Sequence, residues 1–302
     1  MRTNRTPMVS VILPSFNYAQ YLQLAVQGVL LQKYSDLELI IVDDWSCDGS
    51  REIAEECKRL DDRGVTIFHA KNRGLACTRN TGLRASAGKF IALCDADDIW
   101  MPDKLKIQLE HFRDNDRVGI VHSEASIIDG SGSLTGQRFS GLFHLKNQVT
   151  SGNLFSELCR RNFLCVPSVV LRREALEYAG GFDESLRSLE DWVCWMKVSR
   201  RYLFKYVEEP LVQYRIHAAS LSHNSKGMAT NRIRAISVLL EAISDINSRP
   251  LATMLYSLGM SYLELGQARD AVSAFAKSVA AHPVQLRAWA RFCQASVFAL
   301  KA

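Results

Sequence analysis

The chain contains no apolar run approaching the roughly 18–20 residues that cross a bilayer, so nothing in it reads as a membrane span. It also lacks a recognisable targeting signal. Arg2 and Arg5 precede only the short apolar run at residues 9–13, which meets Pro14 well before the length of a signal-peptide core. Charge of one sign is scarce. Lys and Arg total 37 against 32 Asp and Glu, a net charge of +5 that is too small to call for a nucleic-acid partner. Cysteine occurs at eight positions, but none forms a C-x-x-C pair. The thiols are scattered through apolar runs and read as small core residues of a reducing compartment, not as a disulfide framework. These absences point to a cytoplasmic protein and leave open a peripheral contact with the inner face of the membrane. What the chain does have is 47% hydrophobic residues over 302 positions, enough for a substantial core. Its length suits one domain of about 200–250 residues with an appendage, or two ordinary domains.

The first hundred residues alternate two periodicities. Residues 9–13, 37–42, 65–69 and 90–94 are short apolar runs that read as strands. Residues 21–31, 51–60 and 74–85 have helical spacing, the second with Asp48 or Ser50 as its candidate cap. This alternation implies an α/β fold, a mostly parallel sheet with helices on both faces. Farther on come a helix over 102–115, a strand over 118–122, a Gly- and Ser-rich loop over 129–137 and a strand over 166–171. A helix over 190–201 follows, then two short strands, 203–207 and 211–215, separated by Pro210. The polar segment 217–227 reads as a lid or linker, and everything after Met228 is helical in pattern.

Ligands of such sheets bind beyond the carboxyl ends of the strands. Three of those ends carry polar clusters here: Pro14-Ser15-Phe16-Asn17, Asp43-Asp44-Trp45-Ser46-Cys47-Asp48, and Asp95-Ala96-Asp97-Asp98. In extended backbone, residues i and i+2 point the same way. Asp95 and Asp97 therefore repel each other unless a cation or a donor intervenes. A hard divalent ion, Mn²⁺ or Mg²⁺, is the common solution, and it keeps positions open for phosphate oxygens.

Residues 9–18, 39–50, 72–82 and 88–98, followed by Gly181-Phe182-Asp183-Glu184, Leu189-Glu190-Asp191-Trp192 and Tyr214-Arg215-Ile216-His217, resemble glycosyltransferase family 2. The resemblance spans about residues 8–223, in the family's order. It implies a Rossmann-like GT-A domain over 1–225 and an inverting transfer of a hexosyl or N-acetylhexosaminyl group from a nucleoside diphosphate sugar to an acceptor hydroxyl. By the same resemblance Pro14, Ser15, Phe16, Asn17, Asp43, Arg73, Arg79, Asp95 and Ala96 bind the nucleotide sugar. Asp97, Asp95 and His217 hold the metal, and Asp191 is the general base. Trp100, Glu190 and Trp192 line the acceptor. The acceptor class stays open between glycan, lipid-linked and protein hydroxyls. One departure stands out: the family's second motif commonly has Gly where this chain has Trp45, so the indole demands an ordinary backbone conformation there or lies over the site.

Inversion at an anomeric carbon is a single in-line displacement, requiring a base at the attacking hydroxyl and positive charge at the leaving phosphates. A nucleotidyltransferase also uses sugar nucleotides and acidic metal ligands, but it opens with a Gly-rich loop after its first strand, where this chain has Pro14-Ser15-Phe16-Asn17. A third reading is an inactive helical-repeat adaptor, and the intact Asp95, Asp97 and Asp191 speak against it. Residues 226–302 form an all-α extension. Within it Leu255, Leu258, Gly259, Tyr262, Gly266, Ala271, Phe275 and Pro283 fit the spacing of one tetratricopeptide hairpin. One repeat cannot bury its own face, so the hairpin must pack on the enzyme, on a partner or on a second copy. The pairs Arg160-Arg161, Arg172-Arg173 and Arg200-Arg201 suit solvated faces or an anionic membrane surface.

Overall fold

Strand β1 (Val9–Ser15) is buried along its whole length, and its alternating side chains pack on the two faces of the sheet. Val9, Val11 and Leu13 share a core with Leu22, Ala25, Val26 and Val29 of helix α1 (Ala19–Leu30) and with Ala54 of α2 (Ser50–Leu60). Ile12 points the other way, against α3 (Leu75–Ala85), where a Cβ on Gly82 would lie 2.6 Å from the Ile12 methyl. Only glycine lets that helix approach so closely. Each fully buried Val, Ile or Leu contributes roughly 1.5–3 kcal/mol, and this strand holds four of them at 0% exposure.

The computed structural model describes residues 6–142, 150–217 and 225–301. The segment 217–227, read above as a lid, falls largely outside them. Two units are distinguished by their internal contacts. The first comprises residues 1–154, 163–184 and 197–218. In it β2 (Leu37–Asp43), β3 (Gly64–Phe68) and β4 (Phe90–Leu93) extend the β1 core in parallel. The sheet runs on through β5 (Ile99–Trp100), β6 (Val118–Ile128), β8 (Val170–Arg172) and β9 (Leu203–Arg215), in the order β3-β2-β1-β4-β8-β6-β9-β5, with β7 (Leu134–Arg138) paired to β6. Beyond β4 the pairing is mixed: β8 is antiparallel to both β4 and β6, while β9 is parallel to β6. Helices α4 (Lys104–Glu110), α5 (Phe139–Leu142) and α7 (Arg173–Tyr178) complete this unit.

Several boundaries differ from the sequence expectation. The helix expected over 102–115 is only α4, and the strand expected over 118–122 continues to Ile128. The two strands expected around Pro210 are one. Pro210 sits opposite Glu124 at a register shift, where its missing N–H interrupts no regular ladder. The strand expected over 166–171 opens instead with a 3-10 turn at Val166–Ser168. Neither Asp48 nor Ser50 is the cap residue of α2: that position is Gly49, at φ +93°. The Asp48 carboxylate instead accepts the Ser50 N–H and, on its other oxygen, the Ala19 N–H at the start of α1. Arg172 does not belong to a basic surface. It is buried, donating to the carbonyls of Val118 and Phe112, and Arg173 donates to Gly88 O. Five of the eight thiols are buried as expected, but Cys47 and Cys293 are exposed.

The second unit comprises residues 155–162, 185–196 and 219–302. It contains α6 (Phe155–Leu158), most of α8 (Glu190–Val198), and α9 (Ser225–Ala242), α10 (Ser248–Glu264), α11 (Ala268–Ala281) and α12 (Leu286–Lys301). Helices α10 and α11 form a hairpin in which Phe275 seats directly on Gly259, 2.6 Å from where a Cβ would stand. Ser278, where the repeat pattern commonly has Ala, is buried because its hydroxyl donates to Ala252 O. Among the described residues no helix is long and apolar enough to cross a membrane.

Candidate active site

The ends of β1 and β2 are tied into one double turn. Asp43 is buried, and its Oδ1 accepts the Ser46 N–H at 3.0 Å. The Ser46 hydroxyl in turn accepts the Asn17 N–H at 2.9 Å, and Asn17 Oδ1 accepts the Cys47 N–H at 3.0 Å. Both Asn17 (φ +59°) and Trp45 (φ +73°) are left-handed. Trp45 thus keeps a conformation that suits glycine, and does not take the ordinary one. Among the described residues Asp43 Oδ2 and Ser15 Oγ are buried without a hydrogen-bond partner, whereas Phe16 and Trp45 are exposed. Pro14 and Ser15 are the last two residues of β1, both buried.

Asp44 has a different task. Its carboxylate accepts the backbone N–H groups of Arg73 and Gly74, both at 2.8 Å, and lies 2.7 Å from His69 Nδ1. It therefore fixes the loop entering α3. Arg73 is held by its backbone, with the side chain exposed. Arg79, one turn into α3, is buried; its guanidinium donates to Asp95 Oδ1 at 2.9 Å and lies 5.7 Å from the Phe182 ring centre. Asn80, which no sequence argument assigned a role, clamps the Gly181–Glu184 motif. Its Nδ2 donates to Phe182 O and Glu184 Oε1, and its Oδ1 accepts the Phe182 N–H.

At the end of β4, Asp95 is half-buried, Ala96 is buried, and Asp97 meets His217 at 3.0 Å between Oδ2 and Nε2. Burial, followed by the Asp95 charge, raises the Asp97 carboxyl above the usual carboxylate range, and the His217 bond opposes this. Asp98 is pushed much higher, chiefly by complete burial and then by Asp97 and Asp95. Its Oδ1 accepts the Arg215 N–H at 2.7 Å. Arg215 then holds the edge together: Nε donates to Asp97 O, one terminal nitrogen donates to Asp129 O, and the guanidinium lies 4.5 Å from the Tyr21 ring centre. Tyr18 and Tyr21 flank His217 at ring separations of 6.0 and 5.3 Å. Asp98 and Arg215 lie inside the motifs quoted above but had no assigned role, because nothing in a linear pattern pairs residues 117 positions apart. Among the described residues, no three His, Cys, Asp or Glu side chains converge to close a metal cage. Asp97 and His217 form a two-donor pair beside Asp95.

In the second unit, Asp191 stands in the first turn of α8, just after Leu189 at φ +66°. Its Oδ2 accepts from Asn162 Nδ2 at 2.7 Å, and the residue is 8% exposed. Glu190 and Trp192 are buried, the indole donating to Leu158 O. Trp100 is also buried, within the sheet core. Neither tryptophan offers an acceptor an open ring face, because each is enclosed by its own packing.

The sheet order and the acidic strand ends are those of a GT-A fold. The likeness to solved structures agrees. The structure of S. aureus TarS 1–349 in complex with UDP-GlcNAc superposes with a TM-score of 0.67 at 16% identity, covering 95% of this chain and 88% of that one. The mannosyltransferase PcManGT from Pyrobaculum calidifontis, in complex with GDP-Man and Mn²⁺, gives 0.62 at 21% identity, over 98% and 81%. The chain belongs to glycosyl transferase family 2, whose model matches residues 10–179. An uncharacterized glycosyltransferase of Rickettsia felis is 32% identical over 212 residues, 69% of this chain. The chain spans only 33% of that relative's length. The putative teichuronic acid biosynthesis glycosyltransferase TuaG of Bacillus subtilis is 30% identical over 224 residues, 74% of this chain and 84% of that protein.

Proposed function

We propose that the chain is a metal-dependent inverting glycosyltransferase that moves a hexosyl or N-acetylhexosaminyl group from a UDP-sugar to an acceptor hydroxyl in cell-surface polysaccharide or related glycan synthesis. The observation that carries this reading is the buried Asp43 carboxylate at the end of β2, with one oxygen engaged by Ser46 and the other without a partner among the described residues. One unpartnered oxygen accepts one N–H, which suits the imide of uracil or thymine. The paired N–H groups of guanine would ask for both oxygens. The names of TuaG and the UDP-GlcNAc bound to TarS support the same donor and product class.

Pro14, Ser15, Phe16 and Asn17 would border the base, and Asp95 and Ala96 the ribose. Arg79 orients Asp95 through the bond between them, and Arg73 stands on the loop that Asp44 fixes ahead of α3. Asp97 and His217, with Asp95 adjacent, would hold a divalent ion. Their oxygen and nitrogen donors suit Mn²⁺ or Mg²⁺ with positions left for diphosphate oxygens. Such an ion, when bound, supplies positive charge to the leaving diphosphate. Asp191 takes the proton of the acceptor hydroxyl as its oxygen bonds to the anomeric carbon and the diphosphate oxygen departs. Asn162 holds that carboxylate in one orientation. Residues 1–225 would form the transferase domain and residues 226–302 the helical extension, in a cytoplasmic protein open to peripheral contact with the inner face of the membrane.

A thermal-shift screen of UDP-, dTDP-, GDP- and CDP-sugars with and without Mn²⁺ tests the donor. Binding to the folded state raises the midpoint by mass action, and the UDP-sugar with Mn²⁺ is expected to raise it most. No shift with any of the four would refute the donor reading.

A further inference from the structure

Among the described residues, three other than glycine have left-handed backbone: Asn17, Trp45 and Leu189. Asparagine tolerates this, since its short amide bonds locally, and Asn17 Oδ1 does accept the Cys47 N–H. Tryptophan has no such compensation. Its Cβ crowds the following carbonyl, and the conformation persists only where the surroundings impose it. Here they do. The residue after Trp45 is bonded through its N–H to Asp43 and through its hydroxyl to Asn17, and the next residue bonds back to Asn17. Asp48 then ties the loop to Ala19 and Ser50.

Packing gives no reason for an indole at this position. Trp45 is 54% exposed and does not contribute to the hydrophobic core. Two residues before it lies the buried, unpartnered Asp43 oxygen, and the turn to which its loop is clamped carries the exposed Phe16 ring. A strained, rigidly held aromatic two residues from an unpartnered carboxylate oxygen calls for a planar ligand with both a π face and an in-plane N–H. A nucleobase has both.

We propose that Trp45 stacks on the nucleobase of the donor, and that the strained turn is maintained to hold the indole there. This rests on the nucleotide-sugar reading above and adds a specificity-determining residue to it. Glycine at this position would give the same turn without strain but without a stacking surface.

The test uses Trp45→Asn and Trp45→Gly, which both suit a positive φ, and Trp45→Phe, which keeps a ring. Binding of UDP with Mn²⁺ is measured by calorimetry, with inorganic pyrophosphate and Mn²⁺ as the probe lacking a base. UDP affinity is expected to fall about ten-fold or more in the Asn and Gly variants, partly recovered in the Phe variant. Pyrophosphate affinity and the melting midpoint should not fall. Asn and Gly variants that bind UDP as tightly as wild type overturn this proposal alone, as does an equal loss for pyrophosphate. A wild-type protein that binds UDP, dTDP, GDP and CDP no better than pyrophosphate overturns the donor reading and this proposal together.

Discussion

Lys104 offers a test of the packing that buries Trp100. The amine is fully buried, has no hydrogen-bond partner among the described residues, and lies 4.0 Å from the centre of the Trp100 ring. Burial pulls it from 10.5 down to about 7. That displacement corresponds to about 5 kcal/mol against the charged form. Replacing Lys104 by Met keeps an unbranched apolar chain of similar length and is expected to raise unfolding free energy at pH 7 by about 4 kcal/mol. The sign follows from proton counts. Between about pH 7 and 10.5 the unfolded chain holds a proton at this lysine that the native chain has released, so wild-type stability rises with pH. Below that window the penalty is full, and above it the penalty is gone. Urea unfolding of both proteins at pH 7, 8.5 and 10 should show the gap between them closing. A gap of constant size, or a variant less stable than wild type at pH 7, would refute the reasoning.

Asp191→Asn is expected to lower the transfer rate by about 10²–10⁴-fold with UDP affinity unchanged; transfer at wild-type rate would remove Asp191 from the mechanism. Asn80→Ala breaks three hydrogen bonds to the Gly181–Glu184 motif. It should cost about 2 kcal/mol, visible as faster amide exchange at Phe182, and unchanged protection there would contradict the clamp. Gly259→Ala drives a methyl into the Phe275 ring and should destabilise the C-terminal helices by about 1–3 kcal/mol, read as a lower melting midpoint by circular dichroism.

The strands of the parallel half were legible because each is a short apolar run closed by a distinctive residue. β1, β2, β3 and β4 fall within a residue or two of where periodicity put them. The acidic ends were legible because charge directly after a buried strand has nowhere to go but the sheet edge. Elements after residue 100 were less so. Pro210 read as a break, yet the opposing strand absorbs it at a register shift. Arg172 read as surface charge, yet three carbonyls of the single stretch 112–118, more than fifty residues earlier in the chain, take its donors. Trp100 and Trp192 read as walls of an acceptor pocket, but an indole following an acidic residue looks the same in sequence whether it faces solvent or core.

By itself the sequence determined the αβ alternation, the family and the acidic residues delivered to the strand ends, since those follow from local period and from motifs of contiguous residues. Only the tertiary structure decided which of those residues are engaged and which remain open. Asp44 is consumed by the Arg73–Gly74 loop, Asp97 is matched to His217 and Asp98 to Arg215, while Asp43 keeps one free oxygen. It also decided that Trp45 stands in a glycine's conformation. The reason is physical: a carboxylate's partner and a residue's imposed φ are set by groups tens of residues away in the chain, and those neighbours exist only once the sheet has closed.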